Sequence, residues 1–272
     1  MQISFIGGGN MAKAIIGGLK TNGFAMQAIT VIEPETDKRA LLSAEYGVQN
    51  ADTYVEKLDT KTATEVILLA VKPQQLRAVC QQLSPKLSTQ LVISIAAGIR
   101  SADISRWLNG YAAIVRVMPN TPAQIQAGVS ALYAMPNVTA EQRTQASQIL
   151  SAVGLTLWLD DEAKMDAITA ISGSGPAYVF YFIEALTEAA VALGLQPEEA
   201  SQLALETFAG ASLLAKKSTE NIKTLRAQVT SKGGTTEQGI LALEMANIKK
   251  TVLQAATAAA EKSRALGDAL AD

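Results

Sequence analysis

The chain has 272 residues, of which 49% are hydrophobic and 18% charged, as in a folded globular protein with room for two domains. A formal net charge of −2 without any basic run argues against nucleic acid or an anionic membrane surface as a partner. The histidine count is zero, which excludes a Ser-His-Asp triad, a histidine general base and a histidine-ligated metal.

The start of the chain and its cysteine content indicate where the protein works. Met1-Gln2-Ile3 carries no basic segment and no cleavage-like site, so we predict no signal peptide. No apolar stretch reaches the roughly 18–20 residues of a membrane span. A single cysteine, Cys80, excludes an intrachain disulfide, and its apolar neighbours at helical spacing place it in the core. Together these features predict a cytoplasmic protein that binds no membrane.

Short strands rich in valine and isoleucine alternate with amphipathic helices through the first part of the chain. The predicted strands are residues 3–6, 28–32, 66–71, 91–96, 113–117, 129–133 and 155–159. The predicted helices between them are residues 11–21, 36–46, 73–83, 101–108 and 140–153. This alternation predicts an α/β fold with a Rossmann-type doubly wound parallel sheet. The sequence leaves open whether the last strands run antiparallel at one edge.

The sequence changes character after Asp160-Asp161. Only helical patterns follow, at residues 177–193, 198–216, 222–229, 237–245 and 248–266. We therefore predict a dinucleotide-binding domain over residues 1–160 and an all-helical domain over residues 161–272. Several of these helices are apolar over more of their circumference than a single helical layer can cover. A homodimer, or a multiple of dimers, would cover them most simply.

The first strand leads directly into a glycine-rich turn and a helix, through Gly7-Gly8-Gly9-Asn10-Met11-Ala12. Gly7 allows a sharp turn off the strand, and Gly9 leaves room for a pyrophosphate beside the backbone. Small Ala12 lets the helix pack closely against the sheet, and the free N–H groups at the helix start attract an anion. This order of strand, turn and helix predicts that the chain binds NADP or NAD.

The choice of cofactor depends on residues that follow the second strand. Glu33 lies 21 residues beyond Ala12, where an acidic side chain would hydrogen-bond a ribose 2′-hydroxyl and repel a 2′-phosphate. Lys38 and Arg39 lie close enough along the chain to attract that phosphate instead. The choice between NADPH and NADH therefore stays open at the level of sequence.

Three further segments follow predicted strands, where the carboxyl ends of parallel strands open on a ligand crevice. The first is Ala70-Val71-Lys72-Pro73, and the second is Ala96-Ala97-Gly98, whose small residues would let a flat ring or a ribose lie against the backbone. We predict that both of these segments bind the cofactor. The third is Met118-Pro119-Asn120-Thr121-Pro122, whose two prolines stiffen a loop that presents the Asn120 amide.

Two more glycine-rich segments lie in the helical half of the chain. Ser172-Gly173-Ser174-Gly175-Pro176-Ala177-Tyr178 is predicted to be a glycine–serine turn that enters a helix, with Pro176 in the first helical turn. A second helix entry is Ser231-Lys232-Gly233-Gly234-Thr235-Thr236-Glu237. It offers several unpaired backbone N–H groups and two hydroxyls, which suit a substrate carboxylate.

These motifs together resemble the pyrroline-5-carboxylate reductase family, and the resemblance extends along essentially the whole chain. The most specific of them is Leu225-x-x-x-Val229-x-Ser231-x-Gly233-Gly234-Thr235-Thr236. The resemblance implies an N-terminal Rossmann domain and an all-helical dimerisation domain. It also implies an oxidoreductase that reduces 1-pyrroline-5-carboxylate to L-proline, the last step of proline biosynthesis, with hydride from NADPH or NADH.

The resemblance also implies roles for individual residues. The backbone amides of Gly233, Gly234 and Thr235 would bind the substrate carboxylate, and the Thr236 hydroxyl would bind the ring nitrogen. Asn120 would help to position the nicotinamide or the substrate. A protonated cyclic imine is already electrophilic, so the reaction needs alignment and charge stabilisation rather than a histidine acid or base.

Two alternative functions stay open at this point. β-Hydroxyacid dehydrogenases also join a Rossmann domain to helices, but they place a catalytic lysine on the helix after a glycine-rich turn. The corresponding helix here, Pro176-Ala177-Tyr178-Val179-Phe180-Tyr181-Phe182, has no lysine. The other alternative is a non-catalytic NADP-binding oligomer, which the intact substrate-loop residues argue against. One departure from the family pattern is Lys232, where the family usually has proline.

Overall fold

The computed structural model describes residues 1–53 and 64–271 of the chain. The chain forms two compact units, one of Met1–Ser174 together with Ala258–Asp272 and one of Gly175–Thr257. The domain limits expected from sequence, 1–160 and 161–272, stay a prediction. Compactness shows which residues pack together and not which segments fold independently.

The first unit contains one sheet of eight described strands. In chain order they are β1 (Ile3–Ile6), β2 (Ile29–Ile32), β3 (Gln49–Ala51), β4 (Val66–Leu69), β5 (Leu91–Ser94), β6 (Ile114–Met118), β7 (Gly128–Ala134) and β8 (Gly154–Trp158). Their order across the sheet is β3-β2-β1-β4-β5-β6-β7-β8. All neighbours are parallel except β6 and β7, which pair antiparallel. The predicted doubly wound sheet is confirmed, and one antiparallel pairing answers the question that the sequence left open.

Helices cover both faces of this sheet. They are α1 (Asn10–Thr21), α2 (Thr36–Tyr46), α3 (Pro73–Leu83), α4 (Ser101–Trp107) and α5 (Ala140–Ser151), and the single turn α6 (Met165–Ile168) follows β8 in the chain. Side chains alternate across each strand, so Phe5 packs in the core with α1 and α5 while Ile6 packs with α3 and α4. Cys80 lies fully buried in the second of these cores, as predicted, and burial raises the pKa of its thiol to about 12.

The strand β3 was not predicted from the sequence. Its residues Gln49-Asn50-Ala51 lack the alternation of apolar and polar side chains that marks a half-buried strand. It pairs with β2 in parallel, in register with Thr30–Ile32. Backbone hydrogen bonds to a neighbouring strand therefore define this element, and they leave no mark on its side-chain pattern.

The second unit is helical, as expected. Its helices are α7 (Gly175–Ala192), α8 (Pro197–Lys217), α9 (Ile222–Gln228), α10 (Thr235–Met245) and the start of α11 (Ile248–Ala271). Within residues 175–257, all of which the structure describes, Ala200 and Ala204 are the only buried residues. Large apolar side chains such as Phe180, Leu193 and Met245 are exposed in the single chain.

Candidate active site

The glycine-rich turn joins β1 to α1, and its geometry explains two of its glycines. Gly7 has a φ of 99°, and an added Cβ would lie 2.7 Å from the carbonyl oxygen of Ala70. A side chain there would strain the turn and push away the chain after β4. Gly9 caps α1, and an added Cβ at that position would meet no atom within 4 Å. This open space, with the N–H groups of Asn10 and Met11 at the helix start, fits a diphosphate.

A crevice of about 560 Å³ opens beside this turn, at the carboxyl ends of β1, β2 and β4. One side of α3, which begins at Pro73, forms its far wall. The crevice brings together seven residues that the sequence predicted to bind the cofactor, namely Gly7, Gly8, Gly9, Glu33, Ala70, Val71 and Lys72. Asn10, Met11 and Pro73 adjoin these residues in sequence.

Glu33 follows β2 and is buried, with 6% of its surface exposed. Its Oε2 accepts a hydrogen bond from the backbone N–H of Gly8 at 2.9 Å, and its Oε1 accepts one from the N–H of Glu35 at 3.1 Å. The carboxylate therefore stands in the wall of the crevice, against the glycine-rich turn. A negative charge at this point favours a neutral ribose hydroxyl over a phosphate as its neighbour, because like charges repel.

Both cations that the sequence offered for a 2′-phosphate have partners in the structure. Lys38 Nζ lies 2.6 Å from Glu35 Oε1, and this hydrogen bond raises the pKa of Lys38. Arg39 donates hydrogen bonds to the carbonyl oxygens of Glu33 and Pro34, each at 2.7 Å. Lys38 lines the crevice, whereas Arg39 holds the backbone that follows β2.

The loop after β5 contains the predicted cofactor segment Ala96-Ala97-Gly98. Ala96 is buried and Ala97 is exposed. Gly98 has a φ of 82°, in the left-handed region that favours glycine. Because β5 runs parallel to β4 and β4 to β1, this loop lies at the same edge of the sheet as the glycine-rich turn. The loop does not line the 560 Å³ crevice.

Asn120 connects two motifs that lie 52 positions apart in sequence. Its Oδ1 accepts a hydrogen bond from the N–H of Val129 at 2.8 Å, and its Nδ2 donates to the carbonyl oxygen of Ser172 at 3.2 Å. An added Cβ at Gly173 would overlap Met118 Cε, so the two segments also pack closely. The structure thus brings the Met118–Pro122 loop and the Ser172 segment together through the Asn120 amide.

The Ser172 segment has a different backbone from the one expected. Residues Thr169–Gly173 form a π-helical turn, in which the N–H of Ser174 donates to the carbonyl oxygen of Thr169 at 2.8 Å. The prediction of a glycine–serine turn before the helix was therefore wrong, because the helical winding continues to Gly173. Pro176 does lie in the first turn of the next helix, α7. Single π-helical turns recur at functional sites.

The predicted substrate loop lies in the second unit, immediately before α10. Gly234 is the N-cap of this helix, and Thr235 and Thr236 form its first turn, so their N–H groups have no partner within the helix. Gly233 has a φ of 75°, and its N–H donates to Glu237 Oε2 at 2.8 Å. The N–H of Gly234 donates to the carbonyl oxygen of Ser231 at 3.0 Å, so two of the three amides expected to bind the substrate carboxylate have partners within the chain.

An ion pair in the first unit, between a buried arginine and a partly buried glutamate, was not predicted from the sequence. Arg116, in the middle of β6, is 5% exposed, and its Nη1 lies 2.9 Å from Glu162 Oε1. The same carboxylate accepts hydrogen bonds from the backbone N–H of Ser101 at 2.7 Å and from its hydroxyl at 2.5 Å. The available signal was a charged residue inside an otherwise apolar strand, which requires a partner when buried.

Two further features of residues 1–53 and 64–271 are the grouping of their metal-ligating side chains and the apolar length of their helices. No group of three or more cysteine, aspartate or glutamate side chains in this part of the chain could hold a metal ion. None of the helices described there is both long and apolar enough to cross a membrane.

Two protein families match separate parts of the chain. Residues 162–266 match the family described as pyrroline-5-carboxylate reductase dimerisation. Residues 2–98, which contain the glycine-rich turn and the segments after β2, β4 and β5, match the family described as NADP oxidoreductase coenzyme F420-dependent.

Similar proteins match over nearly the whole length. A pyrroline-5-carboxylate reductase of Pseudomonas aeruginosa is 44% identical over 99% of this chain and 98% of its own. The structure of a pyrroline-5-carboxylate reductase from Coxiella burnetii, 41% identical, superposes with a TM-score of 0.91 and covers 97% of this chain and 98% of its own. That of the Plasmodium falciparum enzyme with NADP bound, 31% identical, has a TM-score of 0.85 and covers 98% of each chain. This chain therefore belongs to the pyrroline-5-carboxylate reductase family.

Proposed function

We propose that this chain reduces 1-pyrroline-5-carboxylate to L-proline with hydride from NADPH or NADH, as a cytoplasmic homodimer or a multiple of dimers. One observation carries the proposal. The glycine-rich turn, Glu33 and residues 70–72 share one crevice at the carboxyl edge of the sheet, in a chain that also has the family's substrate loop. A dinucleotide cradle and an anion-binding helix start are the two parts that this reaction needs.

The cofactor fits the first unit through the backbone of the glycine-rich turn. The open space at Gly9 and the N–H groups of Asn10 and Met11 would hold the diphosphate. Glu33 would face the adenosine ribose, while Ala70-Val71-Lys72-Pro73 and Ala96-Ala97-Gly98 would bind the rest of the cofactor. When bound, NAD(P)H supplies the hydride that reduces the C=N carbon of the substrate. The family member from Plasmodium falciparum, whose structure has NADP bound, supports this assignment.

The substrate is a cyclic imine that carries a carboxylate, and the start of α10 suits both groups. The N–H groups of Gly233, Gly234 and Thr235 would bind the carboxylate, aided by the positive end of the helix dipole. The Thr236 hydroxyl would hydrogen-bond the ring nitrogen. For the substrate to use the Gly233 and Gly234 amides, Glu237 and the carbonyl oxygen of Ser231 must release them. Asn120 would help to position the nicotinamide or the substrate, since its amide connects the Met118–Pro122 loop with Ser172.

The dimer is supported by the burial pattern of the second unit. In the single chain only Ala200 and Ala204 are buried among residues 175–257, and exposed leucine, valine and phenylalanine side chains occur on several helices. Isolated helices this apolar need a partner surface. The match of residues 162–266 to a dimerisation family supports a second copy of the chain as that partner.

The direct test is an assay of reduced-nicotinamide absorbance with 1-pyrroline-5-carboxylate, run with NADPH and NADH in parallel. We expect a substrate-dependent loss of absorbance and an equal amount of proline as product. Binding of NADPH without turnover would favour the non-catalytic oligomer. Oxidation of a β-hydroxyacid with NADP, in the absence of activity on the imine, would favour the dehydrogenase alternative.

A further inference from the structure

The last helix returns to the first unit and ends against the loop that follows β5. The two buried residues of α11 are Ser263 and Gly267, which lie one helical turn apart on the same face. An added Cβ at Gly267 would come to 2.6 Å from the carbonyl oxygen of Gly98, whereas ordinary contact begins at 3.4 Å. The helix backbone and the loop backbone are therefore in direct contact, and only glycine allows this approach.

Polar contacts on both sides hold this end of α11 in place. Arg100, two residues after Gly98, pairs with Asp268 at 2.5 Å, and this contact raises the pKa of Arg100. Arg106 in α4 donates a hydrogen bond to the carbonyl oxygen of Ala271. One turn earlier, the Ser263 hydroxyl lies 2.8 Å from Asp166 Oδ1. The contacts thus flank the point where Gly267 meets the loop.

The loop meets α11 at Gly98, whereas Ala96 is buried in the core with α3 and α4. Gly98 adopts a left-handed conformation with a φ of 82°, and glycine is the residue that loses most conformational freedom on ordering. If Gly98 carried a Cβ, its nearest neighbours would be Gly267 N, Leu266 Cβ and Ser263 O, between 3.5 and 3.7 Å away. All three belong to α11. The last helix, α11, is therefore the surface on which Gly98 rests.

We propose that Gly267 is a positioning residue for cofactor binding, because the backbone of α11 at this point fixes the Ala96-Ala97-Gly98 loop in the shape that receives NAD(P)H. The inference rests on the proposed function, which assigns this loop to the cofactor. Gly267 touches no reactant in this scheme. Gly267 acts through its contact with the carbonyl group of Gly98. The ion pair between Arg100 and Asp268 holds this part of α11 against the loop.

The test compares Gly267→Ala with Ala269→Val in the full-length enzyme. Ala269 is exposed on the same helix and lies outside the proposed dimer interface, so the control adds bulk without touching the loop. A displaced loop carbonyl should raise the NADPH Kd, measured by calorimetry, about tenfold. The KM for NADPH should rise in parallel, while the KM for 1-pyrroline-5-carboxylate should stay within about twofold of the wild-type value. In the control variant, the NADPH Kd and both KM values should stay within about twofold of wild type. Weaker NADPH binding at unchanged thermal stability marks a positioning role, because a purely structural defect would lower both.

A second variant keeps the inference testable if Gly267→Ala does not fold. Asp268→Asn keeps the side-chain size and removes the ion pair with Arg100, and we expect it to raise the NADPH Kd about two- to fivefold. An unchanged NADPH Kd in the folded variants would overturn the inference. The inference would also be overturned if the variants lost thermal stability whenever they lost NADPH affinity. Turnover of the wild-type enzyme tests the proposed function separately, since the Kd comparison needs only NADPH binding.

Discussion

The Thr236 hydroxyl is the side-chain group on which the proposed chemistry depends most. Thr235 and Thr236 are adjacent in the first turn of α10, so their side chains diverge by about 100° and cannot serve the same atom. A hydrogen bond to a charged partner is worth roughly 1.5–3 kcal/mol. Thr236→Ala should therefore lower kcat/KM by roughly ten- to a hundredfold, and Thr236→Ser should retain most activity. Steady-state kinetics will measure both.

The matched measurement for this variant is NADPH affinity. The loop belongs to the substrate side of the proposed site, so Thr236→Ala should bind NADPH as tightly as the wild-type enzyme does. Full turnover in Thr236→Ala, or an equal loss of cofactor affinity, would show that the hydroxyl has another role.

Glu33 is the residue that should set the preference between NADPH and NADH. Its charge lies in the wall of the crevice, 2.9 Å from the Gly8 amide. Repulsion between this carboxylate and a 2′-phosphate is worth about 1–2 kcal/mol at an effective dielectric near 20. Glu33→Ser should therefore raise the ratio of kcat/KM for NADPH over NADH roughly tenfold.

Two further variants separate the charge of Glu33 from its contact with the turn. Glu33→Gln keeps an oxygen that can accept the Gly8 N–H while removing the charge, so it should shift the ratio in the same direction. Glu141→Gln is the control, because Glu141 is exposed on α5 and does not line the crevice. If the ratio is unchanged in both Glu33 variants, the carboxylate does not face the 2′-position.

Among the elements of the first unit, Glu162 ties three parts together. Its carboxylate contacts Arg116 in β6 and Ser101 at the start of α4, and it lies just after β8 in the chain. Removal of one partner of a buried pair leaves the other charge without compensation, at a cost of about 3–5 kcal/mol. Glu162→Ala should therefore lower the free energy of unfolding of the first unit by about 3 kcal/mol.

Urea unfolding followed by tryptophan fluorescence will measure this change, since Trp107 and Trp158 both lie in the first unit. Glu141→Ala, an exposed glutamate in the first turn of α5, is the control and should change stability by about 0.5 kcal/mol or less. An equal effect of the two substitutions would mean that Glu162 does not brace these elements.

A second feature that joins elements is the link between the Met118–Pro122 loop and the π-helical turn. Each motif could be identified in the sequence, but their contact through Asn120 and Ser172 could not. The two residues are 52 positions apart, and no local pattern marks such a hydrogen bond. The Asn120 side-chain amide therefore connects the Met118–Pro122 loop with the Ser172 segment.

For the molecule as a whole, the apolar surface of the second unit predicts a two-fold dimer. Residues 179–193 and 248–266 should contribute helices to the interface, because they carry exposed apolar side chains such as Phe180 and Leu253. Two-fold closure is the commonest way to bury such a surface. Light scattering at micromolar concentration should give at least twice the chain mass of 28.6 kDa. A monomeric mass would contradict the proposed dimer.

Local sequence patterns were sufficient to predict the parallel sheet, the glycine-rich turn and the helical second half. Strand and helix periodicity repeat within a few residues, and Gly7 and Gly9 act on their own turn. The motifs of the cofactor crevice and of the start of α10 are also local, so the sequence was sufficient to place each of them next to its strand or helix. The family resemblance rests on these same local motifs.

Features that join distant parts of the chain became evident only from the packing of the elements in space. The antiparallel pairing of β6 with β7 and the unpatterned strand β3 depend on neighbouring backbones. The Arg116–Glu162 pair and the Arg100–Asp268 pair, the latter 168 positions apart, carry no local signal. The return of α11 to the Gly98 loop is of the same kind. A contact between two backbones depends on how the elements pack, and the side-chain pattern of either segment does not record it.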